Sequence, residues 1–546
     1  MKSDSSPILY QNSSSTVFLV DIPASIARAQ DLLPQPHPDI SDGTRSTPTA
    51  YLHRNKHKSR HLLSTLPLKQ PYAVPNEPKS KSAQAKILAR IPQSESEFHE
   101  AIRPVVLDAL SEIRQNYSQG SDWCLPRHLL GGANGFNPGA NPKQNEDVRF
   151  KQLDKTQEGN NTRENRKLPK RGYNHAFNRE EQNHESLAIQ VLPRLRGSGF
   201  TADTYDTVQI QHQPPLILSP GKNRFEYGDE LCNKLVKNTS SDAAIIELRS
   251  LSTVKSGEWL SPDAEHIQNQ GQVYLIPPLS RFILRDLPIS KELDYTNSSP
   301  IPGLDPEQKF NLIVLDPPWA NRSVRRSGYY QTQTYHDNEL LMGYISSVLA
   351  VHSYSHPYLP PQIDDTADLR QYRSQSGSNL STAAIWITNS AKSRAIAHSA
   401  LNESGFSVCE EWIWIKTTVQ GKPVTPIEGL WRKPYEVLVI GKREPEPATT
   451  CIRSTGAKAV LRRVIAAVPD VHSRKPNLKA IFEKIFFTAS SESADIGLDT
   501  VTGISDQIIR YTALEVFARN LTAGWWACGN EVLKFNSESW WVDEDG

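Results

Sequence analysis

Cysteine, net charge and long apolar runs are all scarce in this chain, and each scarcity removes a class of protein. The five cysteines, Cys124, Cys232, Cys409, Cys451 and Cys528, form no C-x-x-C pair and share no zinc-holding spacing with histidine. Free thiols in a reducing compartment and no metal are therefore expected. No stretch approaches the roughly 18 apolar residues that a membrane span needs, and the opening MKSDSSPILY lacks the charged-then-apolar order of a secretory signal. An intracellular protein with no membrane partner is the expectation. With 61 Lys+Arg against 60 Asp+Glu the formal charge is only +1, so any surface for a polyanion must be local. Apolar residues make up 37% of the chain beside 39 prolines, short of what a fully packed chain carries. No G-x-G-x-x-G occurs, which disfavours a nicotinamide enzyme with the common phosphate-binding turn.

What is present is unevenly spread over the 546 residues, a length that favours two units and linkers over one core. Nine of the 11 tryptophans fall from Trp319 onward, which puts the packed, chemistry-bearing part in the second half. Residues 1–213 read as an N-terminal region, partly disordered with short ordered elements, and 214–546 as the catalytic domain. Within the first region, Val17–Val20 reads as a strand leading into a helix capped by Asp21 with Pro23 in its first turn, and 95–117 has helical apolar spacing. Residues 34–85 and 131–185 have little to bury and are expected to lack order. From Pro214 onward, FEYGDELCNKLVKN (225–238) looks helical. Strand-length apolar runs follow within 272–287, 310–319, 382–390, 410–418, 435–443 and 513–520, with helices at 391–404 and 477–487. Near-continuous apolar strands alternating with helices define the doubly wound, Rossmann-like α/β class, in which ligands sit beyond the carboxyl ends of the strands.

Directly after one such strand stand Asp316, Pro317, Pro318 and Trp319. Two prolines remove two backbone donors and fix φ, so the chain leaves the sheet as a stiff arm with carbonyls free to accept hydrogen bonds. An exocyclic amine on an aromatic ring is a poor nucleophile because its lone pair is delocalised. A carboxylate and a proline carbonyl accepting its two N–H bonds would aim that lone pair, while an indole stacks on the base. This corner, in this setting, resembles the DPPW-motif adenine-N6 methyltransferases of the MT-A70 family, which use S-adenosylmethionine. The resemblance extends from about 214 to 541 and is nearest the methyltransferase-like-four branch.

Further segments carry the resemblance. Arg432-Lys433-Pro434-Tyr435-Glu436 is similar to the family's lysine-bearing strand start, Ser473-Arg474-Lys475-Pro476 to its S-x-K-P loop, Glu515-Val516-Phe517-Ala518-Arg519-Asn520 to E-L-F-[AG]-R, and Gly529-Asn530-Glu531 to the closing G-N-[EQ]. The resemblance implies donor contacts at Lys433, Glu515, Arg519, Asn520, Asn530 and Glu531, with Lys433 on the donor's carboxylate. Phe282 and Asp286 resemble the branch's segment near the donor's adenine. The catalytic motif precedes the donor strand, which is the family's permuted order. After DPPW comes a basic, aromatic loop in which Arg322, Arg325, Arg326 and Tyr329 are candidate nucleic-acid contacts, with Trp431 a candidate wall for the base. Basic clusters at 54–60 and 163–171 suit either a nuclear address or a polybasic arm, and a nuclear location is favoured. The expected activity is N6-adenine methylation of nucleic acid, RNA such as a small nuclear RNA before DNA, with any protein partner unidentified. Two other readings stay open: a catalytically silent nucleic-acid-binding subunit, and an amide methyltransferase acting on protein.

Overall fold

Runs in which every residue is buried belong to strands covered on both faces, and LIVL (Leu312–Leu315) and TAAIWI (Thr382–Ile387) are two of them. The computed structural model describes residues 6–30, 60–72, 80–117, 121–130, 214–249, 272–289, 299–319, 338–354, 380–429, 433–443, 459–471, 474–488 and 508–543. Apart from Leu129 and Leu130, these belong to one compact unit built from the chain on both sides of 129–191.

Among the described residues, twelve strands form the main sheet. In chain order they are β1 (Ile8–Gln11), β2 (Val17–Val20), β3 (Leu216–Leu218), β4 (Leu235–Asn238), β5 (Arg281–Leu284), β6 (Leu312–Leu315), β7 (Thr382–Ile387), β8 (Phe406–Lys416), β9 (Tyr435–Arg443), β10 (Leu461–Ala467), β11 (Ala513–Val516) and β12 (Trp526–Gly529). Across the sheet the order is β1-β2-β10-β8-β9-β7-β6-β11-β12-β5-β4-β3. The central pairings from β7 through β6, β11 and β12 to β5 are parallel, whereas β9 runs antiparallel to β7 and β8. The helices used below are α1 (Ile22–Ala29), α2 (Gln93–Asn116), α3 (Asn338–His352), α4 (Ala391–Glu403) and α5 (Lys479–Phe486). From β6 the chain passes through α3 to β7 on one side, and from β11 it goes to β12 on the other. The winding therefore reverses between β6 and β11, which opens a crevice at their carboxyl ends.

The expected α/β class is the one observed. The early elements join the same sheet: β2 is wholly buried and runs parallel to β10, with Val17 opposite Val464. Asp21 caps α1 by accepting from the Ala24 N–H at 2.9 Å. Helix α2 buries Ile102, Val106, Ala109, Leu110 and Ile113, a helical stripe laid on β2 and β10. The sheet thus crosses the sequence division at residue 213.

Two sequence expectations are corrected. Residues 225–238 are not a helix: they hold the end of a strand (Gly221–Phe225), a single 3-10 turn and β4, because Asn233 adopts φ +60° and breaks any helical run. Within 34–85, expected to lack order, Arg60–Ser64 is a strand paired antiparallel to Trp541–Asp543. Its partner lies at the far end of the sequence, out of reach of local pattern.

Candidate active site

Strand β6 ends at Leu315, and Asp316 follows at the reversal point with its N–H on the Val516 carbonyl of β11 at 3.2 Å. Pro317 is buried, while Asp316, Pro318 and Trp319 are half-buried. The Trp319 N–H donates to the Pro317 carbonyl at 2.8 Å, and its indole Nε1–H to the Trp386 carbonyl of β7 at 2.7 Å. Those two bonds fix the arm and the rotation of the indole. They also amend the expectation of wholly free carbonyls: Pro317 retains one of its two lone pairs.

The neighbouring strand leaves the sheet differently. After β11, Phe517 takes φ +62°, a left-handed conformation that costs a bulky residue on the order of 1–3 kcal/mol. Gly529 at the end of β12 allows it: with φ +146°, a Cβ there would sit 3.2 Å from the Phe517 Cα. This tight turn delivers Arg519 and Asn520 to the crevice, where both line the cavity with Asp316 and Glu515.

Lys475 closes the third side. Its Nζ lies 2.6 Å from Asp316 Oδ1 and 3.6 Å from Glu436 Oε2, and Lys416 meets Glu436 at 2.6 Å. Arg519 Nη1 is 3.9 Å from Asp316 Oδ2 and its Nε is 3.2 Å from Glu531, which Lys534 approaches at 3.4 Å. Charges thus alternate from Lys416 to Lys534 through Asp316. Burial works to raise Glu436, yet Lys416 and Lys475 outweigh it and hold the carboxyl at about 2. Glu515, with no such direct cation, is pushed up to about 8 by desolvation and by the Asp316 carboxylate.

Asp316, Glu515, Arg519 and Asn520 line this crevice, Pro317, Pro318 and Trp319 follow Asp316 directly, and Glu531 meets Arg519. Asn530 donates to Asp286 at 2.9 Å, which links the ends of β12 and β5. Phe282 is buried between β4 and β12 as a core residue. Lys433 is not among the residues lining the cavity; its ammonium donates to the Ile427 carbonyl at 3.3 Å, on the side where α2 packs. There His99 bonds to Tyr435, and burial together with Lys433 and Arg394 lowers the imidazole to about 4. Lys475 is the residue that sequence reasoning passed over: its S-x-K-P setting was visible, its approach to Asp316 was not. Arg322, Arg325, Arg326, Tyr329 and Trp431 lie outside the described residues, as does 163–171. Of cluster 54–60 only Arg60 is described, paired with Glu538 at 3.0 Å and Asp543 at 2.9 Å. Among the described residues no group of His, Cys, Asp or Glu is arranged to hold a metal, and no helix is long and apolar enough to cross a membrane.

A sheet whose central strands run parallel and whose winding reverses beside an acidic, proline-stiffened corner has the Rossmann-like α/β arrangement. Residues 373–531 match the MT-A70 family model. Asp316 lies upstream of the matched span. The chain is 33% identical over 238 residues to the N6-methyladenosine RNA methyltransferase MTA1 of Cryphonectria parasitica, covering 43% of this chain and 55% of that one. It is 28% identical over 310 residues to the N(6)-adenine-specific methyltransferase METTL4 of Mus musculus (55% of this chain, 51% of that one). A third relative, the DNA N6-methyl methyltransferase of Caenorhabditis elegans, is 26% identical over 213 residues (38% and 45%). The chain spans about half the length of these curated relatives.

Proposed function

We propose that this chain is a methyltransferase acting on the N6 amine of adenine in nucleic acid, with S-adenosylmethionine as donor and RNA favoured over DNA. The observation that carries the reading is the Asp316-Pro317-Pro318-Trp319 arm at the reversal between β6 and β11, facing Lys475 and Arg519. S-adenosylmethionine, when bound, supplies an electrophilic methyl group on a sulfonium. The residues present suit its outline: a cation for the carboxylate, carboxylates for the ammonium, and amides and acids for ribose hydroxyls and purine. Lys475 would take the carboxylate, the role the resemblance puts on Lys433, while Arg519, Glu531, Asn530 and Asp286 would hold the remainder.

Asp316 and the remaining lone pair of Pro317 accept the two N–H bonds of the amine and turn its lone pair outward. Trp319, locked by its bond to Trp386, offers a fixed aromatic wall. Prior removal of a proton is not needed, because the amine becomes acidic only as the new bond forms. The preference for RNA rests on the 33% identity to a named RNA enzyme against 26% to a named DNA enzyme. The test incubates the chain with methyl-labelled S-adenosylmethionine and matched RNA or DNA oligonucleotides, then identifies nucleosides by mass. N6-methyladenosine in the RNA pool is expected; label on protein, or on no substrate despite donor binding, overturns the reading.

A further inference from the structure

Lys475 is held on Asp316 by its neighbours in the chain, and part of what fixes them comes from outside the residues that match the family. Arg474, the residue before it, is fully buried: its Nη1 lies 2.7 Å from Asp470 Oδ2 and 2.9 Å from the Leu63 carbonyl. Its guanidinium is layered against the rings of Phe535 at 4.3 Å and Trp540 at 4.7 Å. Asp470, also buried, accepts from Ser64 Oγ at 2.7 Å and from the Thr65 N–H at 3.3 Å. Behind it Arg127 donates to the Val468 and Pro469 carbonyls, both at 2.8 Å. Burial would raise the Asp470 carboxyl, but Arg474 and Arg127 outweigh it and hold the group ionised below its ordinary range.

The other side of Lys475 is fixed as firmly. Pro476 sets φ, and the Asn477 N–H donates to Ser25 Oγ of α1 at 3.0 Å while its amide donates to Thr522 at 2.8 Å. Helix α1, the strand Arg60–Ser64 and Arg127 all precede residues 373–531, the span that matches the family. An ammonium on a flexible four-carbon stem gains direction only from where its Cα is held.

We propose that Arg474 is a positioning residue that, clamped by Asp470 and by the N-terminal strand Arg60–Ser64, sets Lys475 against Asp316, so that helix α1 and this strand are working parts of the site. It rests on the reading of the crevice as a donor site. The geometry assigns the two neighbouring cations separate tasks, one inward to hold, one outward to bind.

The test is a double-mutant cycle in the full chain with R474K, K475Q and their combination, read by calorimetric titration of S-adenosylmethionine, by Tm, and by the crystal structure of R474K. Lysine keeps the charge on Asp470 but loses the planar contact with Phe535 and Trp540. Expected is a rise of about tenfold in donor Kd for R474K, shrinking to less than about twofold when Lys475 is already Gln. Equal penalties in both backgrounds, or a lowered Tm with unchanged Kd, overturn the proposal. S64A, which removes one bond to Asp470, must shift Kd in the same direction by less, and an unchanged Kd there counts against the proposal should R474K fail to fold. If the unaltered chain binds no donor, the functional reading falls. The R474K structure then decides the positioning on its own: Lys475 still within about 3 Å of Asp316 overturns it, and Lys475 displaced supports it.

Discussion

Arg474 and Lys475 are adjacent cations with opposite surroundings. Arg474 has no exposed side-chain surface and bonds to a buried carboxylate and a backbone carbonyl, whereas Lys475 is 17% exposed and stands between two carboxylates at the edge of the crevice. Removing the partner of a buried ion leaves an uncompensated charge in a medium that cannot solvate it; removing a partner at the crevice lets water replace it. Charge alone therefore does not tell chemistry from architecture. The number of fixed partners and their access to water do.

The largest break in this comparison is Asp470→Asn, which strands two buried guanidinium groups and should cost about 3–5 kcal/mol, against under about 1 kcal/mol for Lys475→Gln. Paired denaturant titrations check it, and equal losses would erase the distinction. Asp316→Ala acts first on the chemical side: turnover should fall about 10²–10³-fold or more, with a much smaller loss of S-adenosylmethionine affinity because Lys475 and Arg519 lose a carboxylate partner. Near-normal turnover would remove Asp316 from its assigned role. Gly529→Ala forces a Cβ toward Phe517 and should destabilise by about 1–3 kcal/mol, visible as a lowered Tm with donor binding weakened through the displaced Arg519 turn.

The last comparison is one of sign. Glu515 titrates at about 8 in the fold against an ordinary 4.5, so the folded state holds the proton more tightly and stability declines as pH rises between those values. Glu515→Gln should flatten that decline. Glu436, held at about 2, works the other way: its contribution is present above 4.5 and is lost as pH falls toward 2, and Glu436→Gln should flatten the acid limb. Stability measured across pH in wild type and both variants separates the two.

Much of the molecule was legible from local pattern, because its central strands are short runs buried on both faces and the acidic arm follows one of them without a gap. The resemblance also supplied Arg519, Asn520 and Glu531, which the β11 exit turn and β12 bring together. Lys433 and Lys475 looked alike in sequence, each a lysine before a proline. What separates them is a partner 159 positions away, since Asp316 meets Lys475 while Lys433 turns to Ile427 beside α2. The 225–238 segment misled for a related reason: its apolar spacing suits a helix, but the left-handed Asn233 and the pairing of β4 with β5 decide otherwise. Arg60–Ser64 was invisible because its strand forms by pairing with segments distant in the sequence, Trp541–Asp543 among them.

The pairing of β2 with β10 also bears on how the chain is made. Val17–Val20 leaves the ribosome early and is wholly buried at the end, but Val464, its neighbour across the sheet, emerges hundreds of residues later. At about 5–20 residues per second this apolar strand waits on the order of a minute for its place, with its edge open to any other chain nearby. A fragment starting at residue 214 trades the problem for its mirror image, an uncovered β10.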